Sequence, residues 1–286
     1  CAPLDDVLAH WSGLGYYARA RNLHACAQAV MTRFGGAFPD TVEACMSLPG
    51  IGRSTAGAIV SQAFDAPAAI LDGNVRRVLA RHAGIDGWPG TPAVSRRFWA
   101  TAEARLPKAR FADYTQALMD LGATCCTTRA PQCTTCPVAA DCIARTAQRI
   151  AELPTPKPKR ARPHRQAAVL IVENPQGEIL LQRRPQSGIW GGLWSPPVID
   201  SEQPWPIELQ ALTPRDDSPL TPVLHRFTHF DLTMQPVHLH GAATPDEACR
   251  WQPPAQALTL GLPAPIRRMM EQLAAAIAAA PTHEIP

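Results

Sequence analysis

Residues 48–59 read Leu-Pro-Gly-Ile-Gly-Arg-Ser-Thr-Ala-Gly-Ala-Ile, a tight glycine turn followed directly by an apolar helical pattern. Glycine lets the backbone approach a ligand closely, and the unpaired N–H groups at a helix start favour an anion such as phosphate. The same pattern also fits a plain connection between two helices. This stretch therefore predicts a helix–hairpin–helix, with or without an anion site at its turn.

A second segment after the hairpin holds a carboxylate between two apolar residues and a helical pattern. Residues 70–77 read Ile-Leu-Asp-Gly-Asn-Val-Arg-Arg, which places Asp72 directly before the next helix. Aspartate at a helix start often caps the first turn. Its apolar neighbours also predict that Asp72 is partly shielded from water, so a structural and a chemical interpretation both stand.

Helical periodicity extends from Leu4 to about Ile150. After Arg19, apolar residues recur at the spacing of one helix face: Leu23, Ala27, Val30 and Met31. Similar runs follow Thr55, Val75, Ser95 and Ala112, with Gly and Pro between them. Residues 1–150 therefore predict an all-α domain. Residues 151–165 are basic and rich in proline, so they predict an extended linker.

The period changes after the linker. Residues 168–172 and 178–182 predict two strands around an Asn-Pro-Gln-Gly turn, and residues 232–239 predict another. A helix from about Pro265 to Ala280 ends the pattern. Residues 166–286 therefore predict a small α+β domain.

Charge also divides the chain. Residues 1–165 carry 20 Lys and Arg against 12 Asp and Glu, a net charge of +8, and residues 166–286 carry 7 against 12, a net charge of −5. A basic half is compatible with a polyanionic partner, although many basic surfaces bind nothing. We therefore treat nucleic-acid binding as one of two interpretations of this charge.

The composition excludes several classes of protein. The chain has 286 residues, of which 46% are hydrophobic and 18% charged, as in a folded protein of two domains. Collagen, coiled coils and wholesale disorder are excluded, and no apolar run approaches the ~20 residues of a membrane-spanning helix. The first residue is Cys1 rather than Met, so we expect a natural chain that begins upstream and leave a targeting segment there open.

Four of the nine cysteines predict a metal centre. Cys126, Cys133, Cys136 and Cys142 have the spacing C-x6-C-x2-C-x5-C, which lets four thiolates wrap one cluster or ion. Zinc ribbons usually pair two C-x2-C hooks, whereas this segment has one, so a 4Fe-4S cluster is favoured over zinc or free thiols. Adjacent cysteines at 125 and 126 argue against disulfides. The other five, Cys1, Cys26, Cys45, Cys125 and Cys249, are interpreted as ordinary thiols.

Together these motifs give a resemblance. The hairpin at 48–59, the segment at 70–81, the cysteine loop at 126–142 and Gly-Leu-Gly-Tyr-Tyr-Ala-Arg-Ala-Arg-Asn-Leu-His at 13–24 resemble the adenine DNA glycosylases, which are iron–sulfur enzymes of the helix–hairpin–helix class. The resemblance runs from about Leu4 to Leu262. It implies base excision repair: hydrolysis of the N-glycosidic bond of adenine mispaired with 8-oxoguanine or guanine in double-stranded DNA. It further implies a monomer in the bacterial cytoplasm, bound to the nucleoid and to no membrane, with protein partners left unknown.

The resemblance also implies roles for individual residues. Asp72 would stabilise positive charge on the sugar, and Asn74 would shape the site. DNA contacts are implied for Tyr16, which would wedge into the duplex, and for Arg19, Gly50, Gly52, Arg53 and Ser54. Lyase relatives carry a Schiff-base lysine at the position of Ser54. Serine cannot form that bond, so base removal without strand cleavage is expected.

In the acidic half, residues 167–197 with the turn Trp-Gly-Gly-Leu-Trp at 190–194 resemble a Nudix fold. Residues 198–202 lack the R-E-x-x-E-E arrangement that would hold Mg²⁺, so we expect the fold without nucleotide hydrolysis. In the family a Phe-Ser-His loop reads 8-oxoguanine, and here it is Phe227, Thr228 and His229. Threonine keeps the hydroxyl but adds a methyl, which leaves the strength of discrimination open. His229 could also be an ordinary histidine at a strand end.

One family feature has no match in the chain. A glutamate in a stretch similar to S-E-x-M-L-Q-Q-T protonates the departing adenine in the family. Neither Glu43 nor Glu103 has that context. We therefore expect a truncated sequence, with a mismatch-binding protein that does not excise as the alternative and a Nudix-type hydrolase as a weaker one.

Overall fold

The computed structural model describes residues 2–158, 161–200, 203–215, 218–241 and 248–279. It contains two compact units, one formed by residues 1–24 with 161–286 and the other by residues 25–160. This grouping differs from the predicted boundaries because the first 24 residues belong with the C-terminal part. Helix α1 (Leu4–His10) and the start of α2 (Tyr17–Phe34) place Leu8 and Tyr17 in the apolar core of that unit.

The unit of residues 25–160 is helical, as predicted. Its elements are α3 (Val42–Met46), α4 (Arg53–Phe64), α5 (Gly73–His82), α6 (Pro92–Ala104), α7 (Phe111–Asp120), a π-helical turn (Leu121–Cys125) and α8 (Ile143–Thr146). The helices predicted after Thr55, Val75, Ser95 and Ala112 correspond to α4 to α7. The burial of α5 alternates at helical spacing, with Val75 and Leu79 packed against Phe98 of α6.

The apolar face expected along α2 is wrong in detail. The helix forms, but Leu23 and Met31 are 57% and 59% exposed, and Ala27 is exposed as well. The buried residues of its second half are Cys26 and Val30, which contact Leu48 before the hairpin. The small Cys26 and the β-branched Val30 therefore form the face that packs, and the longer Leu23 and Met31 side chains point outward.

The other unit is built on one sheet, as the α+β prediction requires. Its described strands are β1 (His164–Glu173), β2 (Ile179–Arg183), β3 (Trp194–Ser195), β4 (Val198–Asp200), β5 (Thr213–Pro214), β6 (Val223–Arg226), β7 (Asp231–His240) and β8 (Cys249–Gln252). The sheet order is β3-β2-β1-β7-β5, with β4 paired to β1, β6 to β7 and β8 to β2. The long strands β1 and β7 are parallel, with Val169 opposite Pro236, and the other pairs are antiparallel.

Both faces of the sheet are covered. Val169 and Ile171 point into the larger core, and Leu170 and Val172 point into a smaller core on the other face. The larger core is closed by α11 (Ala264–Ala279), and the short helices α9 (Ile207–Gln210) and α10 (Pro254–Ala257) complete the unit. The predicted strands and the C-terminal helix are confirmed, with Ala280 outside the described residues.

The predicted linker is partly ordered structure. Leu153 is buried in the core of the helical unit, and β1 already begins at His164. Lys159 and Arg160 lie outside the described residues. Across the part of the chain that the structure describes, no helix combines the length and hydropathy that crossing a membrane would need.

Candidate active site and DNA interface

The hairpin has the turn that its glycines predict. The N–H of Ile51 donates to the carbonyl of Leu48 over 3.2 Å, and Gly50 has a φ of +77°, in the left-handed region that glycine adopts without strain. Helix α4 begins at Arg53 after an extended Gly52, and no side chain caps its first turn. The N–H groups at the start of α4 are therefore left for another acceptor.

Helix α4 is attached to the segment that carries Asp72. The Ser54 Oγ accepts a hydrogen bond of 2.9 Å from the N–H of Leu71. One turn later, Gly57 lies so close to the same segment that a Cβ on it would be 2.2 Å from the carbonyl oxygen of Ala69. The hydroxyl and the missing side chain thus fix the distance between the hairpin helix and residues 69–71.

Asp72 is the N-cap of α5, as its structural interpretation predicts. Its Oδ1 accepts from the N–H of Val75 over 2.7 Å, and the residue is only partly buried. Among the described residues, none donates a hydrogen bond to Oδ2. One carboxylate oxygen therefore holds the helix start, and the other remains for a ligand.

Arg77 was not singled out from the sequence, yet it joins three parts of the helical unit. Its guanidinium donates to Asn74 Oδ1 over 2.8 Å, to the carbonyl of Cys126 over 2.7 Å and to the carbonyl of Gly122. Gly122 itself lies directly against Asn74. A Cβ added to Gly122 would be 2.6 Å from Asn74 Cβ and 3.0 Å from Asn74 Cα. One side chain therefore links the helix after Asp72 to the first cysteine of the predicted metal loop. Two consecutive arginines in the sequence gave no signal as to which of them does this.

The two arginines predicted to contact DNA differ in their surroundings. Arg53 forms an ion pair with Glu103 and stacks at 3.9 Å over the Trp99 ring. Both partners of this pair are about half exposed, so its net stabilisation is small and a phosphate could compete for the guanidinium. Arg19 is exposed on the first turn of α2.

The cysteines predicted as metal ligands line one pocket. The wall includes Cys125, Cys126, Cys133, Cys136 and Cys142, together with Arg81 and apolar side chains of α5. Arg81 is 3% exposed and donates to the Cys126 Sγ over 3.4 Å and to the carbonyl of Thr127 over 2.7 Å. Arg81 therefore holds the first cysteine of the predicted metal loop against α5.

The thiols around this pocket are compatible with the iron–sulfur cluster that their spacing predicts. Five thiols converge on one apolar pocket, but no three Cys, His, Asp or Glu side chains of the described residues are close enough together to hold a single metal ion. Cys125, interpreted as an ordinary thiol, also faces this pocket. Burial, followed by a hydrogen bond with Cys136, raises the pKa of the Cys125 thiol. The choice of four ligands therefore remains a prediction from the spacing.

A cleft in the unit of residues 1–24 and 161–286 brings two predicted groups together. Its volume is about 450 Å³. It is lined on one side by residues 13–18, including Tyr16, and on the other by residues 225–228, including Phe227 and Thr228. Tyr16 is 70% exposed at a positive φ of 49°, so it is no core aromatic. These groups are about 210 residues apart in the sequence, which gave no indication that they line the same cleft.

The Phe-Thr-His loop is the turn between β6 and β7. The N–H of Phe227 donates to the carbonyl of Phe230 over 2.9 Å, and the two rings stack with centroids 4.6 Å apart. Trp190, from the glycine turn at 190–194, lies 5.4 Å from Phe227. Thr228 and His229 are both exposed, with Thr228 Oγ1 3.3 Å from His229 Nδ1. His229 is therefore exposed in the turn just before β7, which leaves both interpretations of this histidine open.

Residues 198–202, which lack the sequence of a catalytic Nudix helix, begin as a strand. Residues 198–200 form β4 and pair with β1. Ser201 and Glu202 lie outside the described residues. The position after Pro197 is thus occupied by sheet as far as the structure describes it.

Comparisons with known proteins cover both units. A family model described as HhH-GPD superfamily base excision DNA repair protein matches residues 1–104, and a NUDIX domain model matches residues 168–272. An adenine DNA glycosylase of Buchnera aphidicola subsp. Acyrthosiphon pisum is 31% identical over 275 residues, covering 94% of this chain and 78% of the relative. An adenine DNA glycosylase of Rattus norvegicus is 36% identical over 288 residues, covering 82% of this chain and 56% of the relative.

Proposed function

The chain belongs to the adenine DNA glycosylase family, and from this membership we propose that it excises adenine mispaired with 8-oxoguanine or guanine from duplex DNA. A helix–hairpin–helix glycosylase unit followed by a Nudix-like unit is the architecture of that function. The reaction is hydrolysis of an N-glycosidic bond. The observation that carries the proposal is the cleft that Tyr16 shares with Phe227 and Thr228.

The cleft has the chemistry that reading a damaged base requires. Tyr16 is an exposed aromatic ring that can insert into a base stack, and Phe227 adds an aromatic wall. The Thr228 hydroxyl is an exposed donor and acceptor at the same place. A base on the strand opposite adenine could therefore be held by stacking and identified by its polar edge.

Excision itself is assigned to the helical unit. The target adenine must leave the stack to be reached, and departure of the base leaves positive charge on the sugar. Asp72, with Oδ2 not used in its helix cap, supplies the negative charge that stabilises this transition state. Asn74 and Arg77 hold the start of α5 in place. Gly50, Gly52 and Arg53 bind the DNA backbone at the uncapped start of α4, and Arg19 contacts the backbone from the other unit.

The contact of Ser54 supports base removal without strand cleavage. A Schiff base requires an amine, and the Ser54 hydroxyl is instead occupied by the N–H of Leu71. Ser54 therefore has a structural role, which is to attach α4 to the segment that carries Asp72. Strand cleavage at the resulting abasic site is left to another enzyme.

We assign a 4Fe-4S cluster to the metal loop at residues 126–142, with Cys126, Cys133, Cys136 and Cys142 as its ligands. The cluster would supply covalent cross-links among four loop positions rather than chemistry on the base. Because Arg77 hydrogen-bonds to the Cys126 carbonyl and to Asn74, an ordered loop also orders the start of α5. This is the physical route by which the loop would affect excision.

Protonation of the departing adenine is the step to which neither Glu43 nor Glu103 is suited. Glu43 is exposed in the first turn of α3, and Glu103 is paired with Arg53. Binding without excision is therefore the second candidate function of the 286 residues. The two candidates differ in one measurable step, which is adenine release.

The experiment compares binding and release on the same duplexes. We expect the 286-residue chain to bind adenine opposite 8-oxoguanine more tightly than an A:T duplex and to release no adenine in a single-turnover assay. Fusion to an N-terminal stretch that carries the family's S-E-x-M-L-Q-Q-T motif should restore release, and Asp72→Asn in the fusion should abolish release while it spares binding. Equal affinity for mispaired and normal duplexes would refute the proposed function. Release by the fusion carrying Asp72→Asn at the full rate would refute the role of Asp72.

A further inference from the structure

One histidine in the cleft has a position that neither the motifs nor the comparisons explain. His225 lies on β6, and its partly buried ring lines the cleft between Trp190 and Phe227. The ring centroids are 5.6 Å from Trp190 and 4.6 Å from Phe227, the second contact at an interplanar angle of 77°. Two aromatic neighbours therefore fix the plane of the imidazole.

The polar atoms of this ring are not used within the protein. Neither nitrogen of His225 forms a hydrogen bond with any residue that the structure describes. By contrast, the ring nitrogens of His164, His229 and His238 each have a polar neighbour within 3.3 Å. The His225 ring is only partly buried, so its unbonded nitrogens are accessible to a ligand in the cleft.

The charged groups near His225 keep its ring neutral. Burial, followed by the positive charge of Arg268 on α11, lowers the pKa of His225 below its ordinary value. The other charged residues of the cleft wall are Arg21 on α2 and Arg226 on β6, and no carboxylate is among the residues that line it. A neutral imidazole carries one N–H donor and one nitrogen acceptor.

We propose that His225 reads the N7 edge of the base opposite adenine, with its unprotonated nitrogen accepting a hydrogen bond from the N7–H of 8-oxoguanine. Oxidation at C8 gives the base a hydrogen on N7 and a carbonyl on C8, whereas N7 of guanine is an acceptor. Guanine can bond to the same nitrogen only after the ring changes tautomer. This inference rests on the proposed function and adds a specificity-determining residue to Thr228.

The test measures dissociation constants for adenine opposite 8-oxoguanine and opposite guanine, with an adenosine whose sugar is fluorinated at C2′ to resist cleavage. His225→Phe keeps a ring against Trp190 and Phe227 and removes both nitrogens. We expect it to weaken binding to the 8-oxoguanine duplex roughly threefold to tenfold and to leave the guanine duplex nearly unchanged. His240→Phe, at an exposed histidine of β7 outside the cleft, is the matched control. His225→Gln, which restores a donor and an acceptor, should recover part of the preference.

A pH series distinguishes recognition of the base by His225 from a purely structural role of its ring. As pH falls through the folded-state pKa of His225, the ring gains a second N–H, loses its acceptor and repels N7–H. The preference of the unmodified protein for 8-oxoguanine should therefore decrease between about pH 7.5 and about pH 5, whereas that of His225→Phe should stay flat. Equal preference in both proteins, or an equal pH dependence in both, would overturn the inference while the proposed function stands. If the unmodified protein did not distinguish the mispairs from A:T, both would fall.

Discussion

Substitution of Gly57 by alanine tests how the hairpin helix positions the segment that carries Asp72. The added Cβ would lie 2.2 Å from the Ala69 carbonyl oxygen, where protein Cβ contacts below 3.0 Å essentially never occur. Helix α4 and residues 69–71 must therefore separate by about 1 Å. Such overpacking costs about 1–3 kcal/mol, and loss of the Ser54–Leu71 hydrogen bond adds about 1 kcal/mol. Alanine recovers about 1 kcal/mol of helix propensity, so a net loss of about 1–3 kcal/mol remains.

The assays for Gly57→Ala are urea unfolding followed by circular dichroism and single-turnover adenine release by the fusion protein. A shift of about 1 Å at Asp72 should lower release by about 100-fold, well beyond the effect on stability. Gly52→Ala is the control for stability, because a Cβ at Gly52 meets nothing within 4 Å. If Gly57→Ala were as stable and as active as the unmodified protein, the close contact between α4 and Ala69 would not position Asp72.

Three other predictions concern the metal loop, its attachment and the DNA backbone. Protein purified without oxygen should be brown with a broad visible absorption band, and a colourless protein containing one zinc per chain would refute the assignment of the four cysteines. Arg77→Met removes three hydrogen bonds from a charged donor, so we expect about 2–4 kcal/mol less stability and slower release by the fusion, and unchanged values would contradict its positioning role. Arg19→Gln and Arg53→Gln should each reduce the slope of log affinity against log salt by about 0.9 if each contacts one phosphate, and unchanged slopes would place the DNA backbone elsewhere.

Elements with a strong hydrophobic period could be predicted from the sequence. Helices α4 to α7 repeat apolar residues at helical spacing, and β1 and β2 follow the turn chemistry of residues 174–177. The face of α2 could not be predicted, because apolar periodicity does not distinguish a stripe that packs from one that faces solvent. Nor could the grouping of residues 1–24 with the sheet, which depends on Leu8, Tyr17 and Ala20 filling a core whose other buried residues come after position 166.

The candidate site was predictable where a residue type itself limits the chemistry. Four closely spaced cysteines and a serine in place of lysine define what can and cannot react. Arg77 and His225 were missed because nothing in their local sequence separates them from other arginines and histidines. Besides neighbours in sequence, each depends on distant residues: Arg77 on the carbonyls of Gly122 and Cys126, and His225 on the ring of Trp190. Only the folded chain brings these groups together.

Asp72 is positioned by backbone contacts, which explains why its motif cannot be considered apart from the hairpin. Ser54 bonds to the N–H of Leu71, Gly57 admits the carbonyl of Ala69, and Arg77 binds the carbonyls of residues 122 and 126. Each contact fixes main chain rather than a flexible side chain. The two helices that flank Asp72 therefore fix the position of its carboxylate. A substitution at any of the three positions should therefore impair excision without touching the base, whereas changes on the exposed face of α5 should not.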